Sequence, residues 1–334
     1  MSAKSRVALY QGEERTSNLR HTLELVMGSL PWSSYRHVVV KPNLVVYDRP
    51  YAITHRDALE TVLALIREYY TGSLTIAEGC AVQSTADAFA AHDYAALADR
   101  YRCRLVDLNA DETIAMPVYD RTGQRLALRL ARTISESDCR ISLALPKTHD
   151  TVLATLSIKN MIMASLVNRR LTTHLPRPRW YDRIGQILWG HGNGWGSDKV
   201  AMHQSYPIMN VNLARIAPWV WPQLSILDGF VAMEGAGPID GTPVSWGIAL
   251  ASTDPLAIDT LAASLMGFTL PEIGYLHYCR QLGLGNADLD NIEVVGNVTP
   301  AAVARRFVPH PQHQQQRQWH HPQAAKLLEL IKAA

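Results

Sequence analysis

The sequence predicts an α/β fold: a mainly parallel, doubly wound sheet with helices on both of its faces. Three observations lead to this prediction. Short apolar runs recur along the chain, helical patterns lie between several of them, and 47% of the 334 residues are hydrophobic. Strands that alternate with helices of this length form βαβ units, in which neighbouring strands are parallel.

Seven apolar runs predict the strands of this sheet. In chain order they are HVVV (37–40), LTIAE (74–78), RLVDL (104–108), RISLAL (140–145), LSIL (224–227), WGIALA (246–251) and IEVV (292–295). Each run is short and rich in β-branched or other apolar residues, which is typical of strands in a buried sheet.

Three longer segments predict helices between the strands. Residues 55–70 and 84–101 carry apolar side chains at helical spacing, and residues 252–267 contain the pair Asp254 and Pro255. Asp254 is a suitable N-cap, and proline is favoured in the first turn because its missing N–H is not needed there. Ser84 predicts the start of the second helix in the same way.

We expect a single α/β domain over residues 1–308, with an irregular insertion at about 168–199. The insertion is too long for an ordinary connection. Its arginines are Arg169, Arg170, Arg177, Arg179 and Arg183. They interleave with Trp180 and Tyr181, so the insertion is either an anion-facing lid or a solvated surface loop. Residues 309–334 predict a polar connector rich in His and Gln, followed by a C-terminal helix.

Composition and charge argue against several classes of protein. The formal net charge of +2 provides no general attraction for nucleic acid, which we do not expect as a partner. The apolar stretches are far shorter than the ~20 residues of a membrane helix, so no membrane span is expected. The N-terminal residues lack the apolar core of a signal peptide, and a cytoplasmic location is the expectation.

The cysteines argue against an intrinsic metal cluster. They are Cys80, Cys103, Cys139 and Cys279, and no two of them are close in sequence. Zinc ribbons and iron–sulfur sites need closely spaced cysteines. We therefore expect no intrinsic iron–sulfur cluster.

Polar side chains stand where the predicted strands end. In chain order they are Lys41 and Asn43, Glu78, Lys147 and His149, and Asp228. Ligands of an open α/β sheet bind beyond the carboxyl ends of its strands, because the loops converge there. We therefore expect these side chains to share one crevice. The structural alternatives are a surface lysine at position 41, an Asx-turn at Asn43 and a turn carboxylate at Glu78.

Cations interrupt the otherwise apolar segment from residue 143 to residue 163. Lys147, His149 and Lys159 lose hydration when they are buried, so a carboxylate, an anionic ligand or a metal ion must compensate for them. The alternatives are a snorkelling side chain at Lys159 and a satisfied structural histidine at position 149.

Two further groups of residues are candidates for ligand contacts. Gly235 and Gly237 lie in the glycine-rich stretch 228–241, where glycine lets the backbone approach a ligand closely. Asn160 lies beside Lys159 in the sequence. We therefore predict that these three residues, with Lys41, Asn43 and Lys159, bind the substrate.

A divalent metal ion is a second way to use these side chains. The candidate ligands are His149, His203, Asp228 and Glu234. Mixed imidazole and carboxylate sets suit iron, nickel or zinc. No local spacing such as HExxH accompanies the set.

Five motifs occur in an order that is typical of one family. The chain resembles the family described as domain of unknown function 362 over about residues 36–296, through VVVKPNLV, IAEG, KTH followed by SIKNM, LDGFVAMEGAGP and DPLAIDTLAASLMG. The resemblance implies an α/β domain, sometimes joined to a ferredoxin-like iron–sulfur module. Two positions depart from the family pattern: Leu145 stands where a lysine is usual, and Ala236 stands where an asparagine is usual.

The sequence favours an enzyme that binds an anionic small molecule, a carboxylate or a phosphate, at the carboxyl ends of parallel strands. His149, Lys147 and Glu78 are the predicted catalytic residues, through acid–base or metal-assisted chemistry. The alternative is a redox accessory protein that docks an iron–sulfur partner in trans, and it depends on the resemblance alone.

Overall fold

The computed structural model describes residues 4–169 and 197–333, and the predicted α/β fold is confirmed there. Ten of the described strands form one large sheet, and β5 and β6 form a separate hairpin. The strands are β1 (Ser5–Gln11), β2 (His37–Lys41), β3 (Ser73–Glu78), β4 (Cys103–Asp107), β5 (Thr113–Tyr119), β6 (Arg125–Ala131), β7 (Cys139–Ala144), β8 (Lys147–His149), β9 (Leu153–Thr155), β10 (Leu224–Glu234), β11 (Thr242–Ser252) and β12 (Ile292–Gly296).

Most of the large sheet is parallel. Strands β10, β7, β2, β3 and β4 lie side by side in that order, each parallel to the next. The sheet continues on the other side of β10 through β11, β1 and β12, where β11 runs antiparallel to both of its neighbours. Strand β10 extends to Glu234, beyond the predicted end at 227, because it pairs with β11 in a long hairpin. Asp228 therefore lies inside a strand and not beyond its end.

Helices cover both faces of the sheet. The described helices of seven or more residues are α1 (Arg15–Glu24), α2 (Arg56–Tyr69), α3 (Thr85–Ala91), α4 (Tyr94–Arg100), α5 (Ser157–Ser165), α6 (Tyr206–Ile216), α7 (Pro255–Leu265), α8 (Gly274–Gln281) and α9 (Pro322–Lys332). Shorter helices are Arg132–Ser135, Asp198–Ala201, Pro300–Val303 and His313–Gln316.

Side chains of one strand alternate between two hydrophobic cores. Val38 and Val40 of β2 belong to the core that contains Leu19 of α1. Val39, between them, belongs to the core that contains Ile158 of α5. Successive side chains of a strand point to opposite faces, so both faces of β2 are buried. This burial explains why the strand appears in the sequence as a continuous apolar run.

Several elements differ from the sequence prediction. Strand β1, the hairpin of β5 and β6, and the short strands β8 and β9 are absent from it. The predicted helix at 84–101 consists of α3 and α4, which are separated at Asp93, where φ is 53°. Aspartate is one of the few residues that adopt this left-handed conformation readily, so the helix is interrupted there.

The segment after residue 308 packs against the rest of the protein. Trp319 and Leu328 belong to the larger hydrophobic core, and Gln316 Nε2 donates to the backbone oxygen of His149 at 2.7 Å. The division near residue 308 stays a prediction. Arg170, Arg177, Arg179, Arg183, Trp180 and Tyr181 of the predicted insertion lie outside the described residues. Among the described helices, none has the length and apolar character needed to cross a membrane.

Candidate functional site

A buried ion pair joins the ends of β2 and β3. Lys41 Nζ lies 3.0 Å from Glu78 Oε2, and both side chains are almost completely buried. Burial lowers the pKa of Lys41, and the neighbouring carboxylate opposes that shift. Glu78 Oε2 also accepts from the Leu44 N–H at 3.0 Å, and Oε1 accepts from the Gly79 N–H at 2.7 Å. Glu78 therefore anchors the loops that follow the two strands.

A chain of hydrogen bonds connects this ion pair to Lys147. Asn160 Oδ1 accepts from Lys41 Nζ and from Asn43 Nδ2, both at 2.8 Å. Asn43 Oδ1 accepts from Lys147 Nζ at 2.8 Å, and Lys147 also donates to the Ala52 carbonyl at 2.6 Å. Burial, with Lys159 and Lys41 nearby, lowers the pKa of Lys147 well below its usual value. Five of the predicted site residues, Glu78 included, thus form one polar layer inside the protein.

A cavity of about 230 Å³ lies in front of this polar layer. Its walls include the predicted residues Asn43, Glu78, His149, Lys159, Asn160 and His203. Lys41 and Lys147 are not among the lining residues, and both side chains are fully buried. The two lysines therefore lie behind the cavity wall and donate hydrogen bonds to side chains that line it.

Lys159 differs from the other lysines of the site because it has no hydrogen-bond or ion-pair partner among the described residues. Its side chain lines the cavity, and it makes no hydrogen bond or ion pair within residues 4–169 and 197–333. Burial lowers its pKa to about 8; Asp150 opposes the shift and Lys41 adds to it. The hydroxyl of Thr155, which also lines the cavity, is buried without a hydrogen-bond partner in the described part of the chain. The sequence analysis did not identify Thr155.

A carboxylate from another helix holds the start of α5, the helix that carries Lys159. Asp259 of α7 accepts from the backbone N–H groups of Ser157 and Ile158, both at 2.9 Å. Burial raises the pKa of Asp259 to about 8, although the two hydrogen bonds oppose the shift. This interaction fixes the first turn of α5, which presents Lys159 and Asn160 to the site.

Two histidines and a carboxylate form a cluster on the cavity wall. One ligand atom each from His149, Asp150 and His203 lies within 4.8 Å of the others. His149 Nδ1 lies 3.0 Å from Asp150 Oδ1 and accepts from the Thr151 N–H at 2.9 Å. Burial lowers the pKa of His149 to about 3, so its imidazole is neutral at pH 7. His203 Nδ1 donates to the Lys199 carbonyl at 2.8 Å.

Lys199 is a further site residue that the sequence analysis missed. Its Nζ donates to the carbonyl oxygens of Met163, Ala164 and Leu166 at the C-terminal end of α5. Burial lowers its pKa to about 8. Lys199 and His203 are four residues apart, which is the spacing of one helical turn and places both side chains on the same side. The predicted irregular insertion at 168–199 included Lys199, so this signal was missed.

The remaining predicted residues lie apart from this cluster. Asp228 pairs with Arg15, whose Nε lies 3.0 Å from Asp228 Oδ2. Glu234 Oε2 accepts from the backbone N–H of Val308 at 3.0 Å. The structure therefore brings His149 and His203 together with Asp150, and it does not place Asp228 or Glu234 with them.

Gly235 and Gly237 contact β8 instead of lining the cavity. The Gly235 carbonyl accepts from the Thr148 hydroxyl at 2.9 Å, and Gly235 has a φ of 74°, which favours glycine. A Cβ atom on Gly237 would lie 2.2 Å from the Thr148 carbonyl oxygen. The neighbouring Pro238 and Ile239 do line the cavity. The two glycines therefore allow the turn between β10 and β11 to pack against the strand that carries His149.

Some known proteins are similar to this chain in sequence, and others are similar to it in structure. The chain is 25% identical over 287 residues to the thylakoid-associated protein sll1697 of Synechocystis sp. (strain ATCC 27184 / PCC 6803 / Kazusa), and the match covers 82% of this chain and 77% of that protein. Among solved structures, the lactate racemase apoprotein from Thermoanaerobacterium thermosaccharolyticum aligns with a TM-score of 0.46 and 13% identity. That alignment covers 78% of this chain and 57% of the racemase chain.

A family model matches the central part of the chain. It is described as domain of unknown function (DUF362), and it matches residues 38–264. The match includes the strand ends at Lys41 and Glu78, the KTH run and α5, and it extends over more than half of the chain. The resemblance that the five motifs indicate is therefore confirmed, and the chain belongs to the DUF362 family.

Proposed function

We propose that this protein is an enzyme that binds a small anionic molecule, a carboxylate or a phosphate, in the cavity in front of α5. The observation that carries the proposal is the buried Lys159, which lines the cavity without a partner among the described residues. An ammonium group that has lost its hydration needs a compensating charge. A bound anion gives Lys159 the compensation that Lys41 receives from Glu78.

The size and polarity of the cavity support a small ligand. Its volume of about 230 Å³ is below the roughly 300–1,000 Å³ of pockets that hold drug-sized molecules. The Thr155 hydroxyl is a second polar group without a partner in the described residues, and it lines the same cavity. Lys159 would bind the charged group of the ligand, while Thr155 would bind a neighbouring oxygen.

The histidines of the cavity wall suit proton transfer. The hydrogen bond from His203 Nδ1 to a backbone carbonyl makes Nε2 the nitrogen that accepts a proton. His149 lines the same cavity; its Nδ1 accepts from the Thr151 N–H, so Nε2 carries the hydrogen and makes His149 the candidate proton donor. Lys41, Lys147, Asn43 and Asn160 would then position the wall, without touching the reacting atoms. The redox accessory role stays a prediction from the resemblance alone.

Binding of defined anions tests the proposal. We expect inorganic phosphate, acetate, malonate or oxalate to raise the melting temperature of the wild-type protein, since a ligand at 100 times its Kd adds about 2.7 kcal/mol of stability. Lys159→Gln should lose this response, and binding should weaken above about pH 8 because Lys159 then loses its proton. The matched control is Lys326→Gln, which removes an exposed lysine and should keep the response.

Turnover is then measured with each anion that raises the melting temperature. For a carboxylate, proton NMR in D₂O should detect C–H exchange or product formation with the wild-type protein, and His203→Gln should abolish it. If none of the anions stabilises the wild-type protein, or if Lys159→Gln responds like Lys326→Gln, the proposed site is wrong. If an anion binds but neither C–H exchange nor product formation occurs, the protein binds the anion without acting on it as an enzyme.

A further inference from the structure

We infer that His149, Asp150 and His203 bind a divalent transition-metal ion. Their ligand atoms lie within 4.8 Å of one another, and the three residues line one cavity. Two imidazoles and one carboxylate are a donor set that suits Fe²⁺, Co²⁺, Ni²⁺ or Zn²⁺. The inference does not depend on the proposed anion site of Lys159 and Thr155, but it shares His149 and His203 with the proposed proton transfer, and His203 Nε2 cannot bind a metal ion and accept a proton at the same time.

Small movements of the side chains would close the ligands around an ion. Ligand atoms that lie about 2.0–2.2 Å from one ion are at most about 4.4 Å apart. Asp150 can make such a movement because about half of its side chain is exposed. His203 is only partly buried. Three protein ligands leave coordination positions for water or a substrate, as in catalytic metal sites.

Neighbouring groups orient two of the three ligands, His203 and Asp150. His203 donates from Nδ1 to the Lys199 carbonyl, which leaves Nε2 as its ligand atom. His149 Nδ1 can accept from the Thr151 N–H or, when it is protonated, donate to Asp150. A metal ion that Asp150 also binds must take the Nδ1 lone pair, because a carboxylate beside Nδ1 cannot reach an ion on Nε2 of the same ring, and the ion then replaces the hydrogen bond from the Thr151 N–H. The Thr151 hydroxyl donates to Asp150 Oδ1 at 2.8 Å and orients the carboxylate.

One nearby charge opposes the metal ion. Lys159 lowers the pKa of His149 through its positive charge, and the same charge repels a divalent cation. Replacement of this lysine should therefore tighten metal binding, while it abolishes the proposed anion binding. The two proposals thus predict effects of opposite sign for the same variant, so the failure of one is distinguishable from the failure of the other.

A titration of metal-stripped protein with Co²⁺ tests the inference. We expect one equivalent to bind, with the visible absorption bands of nitrogen and oxygen coordination, and with displacement by Zn²⁺. His203→Ala and Asp150→Asn should each weaken binding at least tenfold, and Lys159→Gln should strengthen it. Circular dichroism confirms that each variant is folded.

The control variant is His320→Ala, which lies in the histidine-rich segment after residue 308 and should bind Co²⁺ like the wild type. If His320→Ala loses the bound ion, the metal belongs to that segment and the inference is wrong. It is also wrong if His203→Ala and Asp150→Asn bind as tightly as the wild type, or if the wild-type protein binds no Co²⁺ at millimolar concentration.

Discussion

Four buried lysines surround the cavity, and each has different neighbours. Lys41 pairs with a carboxylate, Lys147 donates to an amide oxygen and a backbone carbonyl, and Lys199 donates to three backbone carbonyls. Lys159 has none of these partners in the described chain. Burial lowers the pKa of all four. The partners of the first three suit roles in the fold, whereas Lys159 is the lysine that the proposed anion would bind.

Replacement of the first two lysines should have different effects on stability. Lys41→Met leaves the Glu78 carboxylate buried without its cation, so the free energy of unfolding should fall by about 3–5 kcal/mol. Lys147→Met leaves two neutral oxygen acceptors without a donor, at about 1–3 kcal/mol each, but it leaves no unpaired charge and removes a buried ammonium group, so the net loss should be smaller. Urea unfolding of both variants measures the difference. Equal losses would contradict the contrast between the two lysines.

At the residue scale, the sequence predicts which polar side chains lie together when they stand at the ends of strands. Lys41 and Glu78 end two neighbouring parallel strands, so their proximity follows from the predicted topology. The sequence could not indicate that Lys41 lies behind the cavity wall while Lys159 lies on it. That difference depends on how α5 is placed by Asp259, which is about a hundred residues away in the chain.

The short strand β8 packs closely against the turn between β10 and β11. The Gly237 backbone approaches the Thr148 carbonyl so closely that no side chain fits between them. The predicted role of Gly237, close approach of the backbone, thus applies to a contact within the protein. Neither β8 nor β9 was predicted, because three-residue strands give almost no periodic signal. The seven predicted strands are longer and more apolar.

Gly237→Ala tests this contact between elements. The new methyl group overlaps a backbone oxygen, so the free energy of unfolding should fall by about 1–3 kcal/mol. Gly28→Ala is the matched control, because a Cβ at Gly28 meets nothing within 4 Å. Chemical unfolding measures both variants. A loss of stability in the control that matches the loss in Gly237→Ala would contradict the steric explanation.

At the scale of the whole molecule, the buried lysines give the protein an unusual dependence on pH. The folded protein releases the protons of Lys159 and Lys199 near pH 8, because burial lowers both pKa values to about 8. The unfolded chain holds them until about pH 10.5. Between these values the unfolded state binds more protons at these two lysines, so their contribution makes folding more favourable as the pH rises.

We therefore expect Lys159 and Lys199 to raise the slope of the free energy of unfolding against pH between pH 8 and pH 10, while the buried thiols, whose pKa values burial raises, lower it. Lys159→Met should reduce the slope by up to about 1.4 kcal/mol per pH unit, since one titrating group is removed. Lys326→Met removes an exposed lysine and should leave the slope unchanged. Denaturant unfolding at several pH values provides the measurement. A slope that is the same in the wild type and in Lys159→Met would contradict the burial of this charge.

The hydrogen bond from Gln316 to the His149 carbonyl also limits how early this part of the protein can be completed during synthesis. The two residues are separated by 167 positions. At the ~5–20 residues per second of protein synthesis, the ribosome needs roughly 8–33 s to proceed from one to the other. Throughout that interval the strand that carries His149 exists without one of its final partners. A growing chain therefore completes this part of the site only after Gln316 has been synthesised.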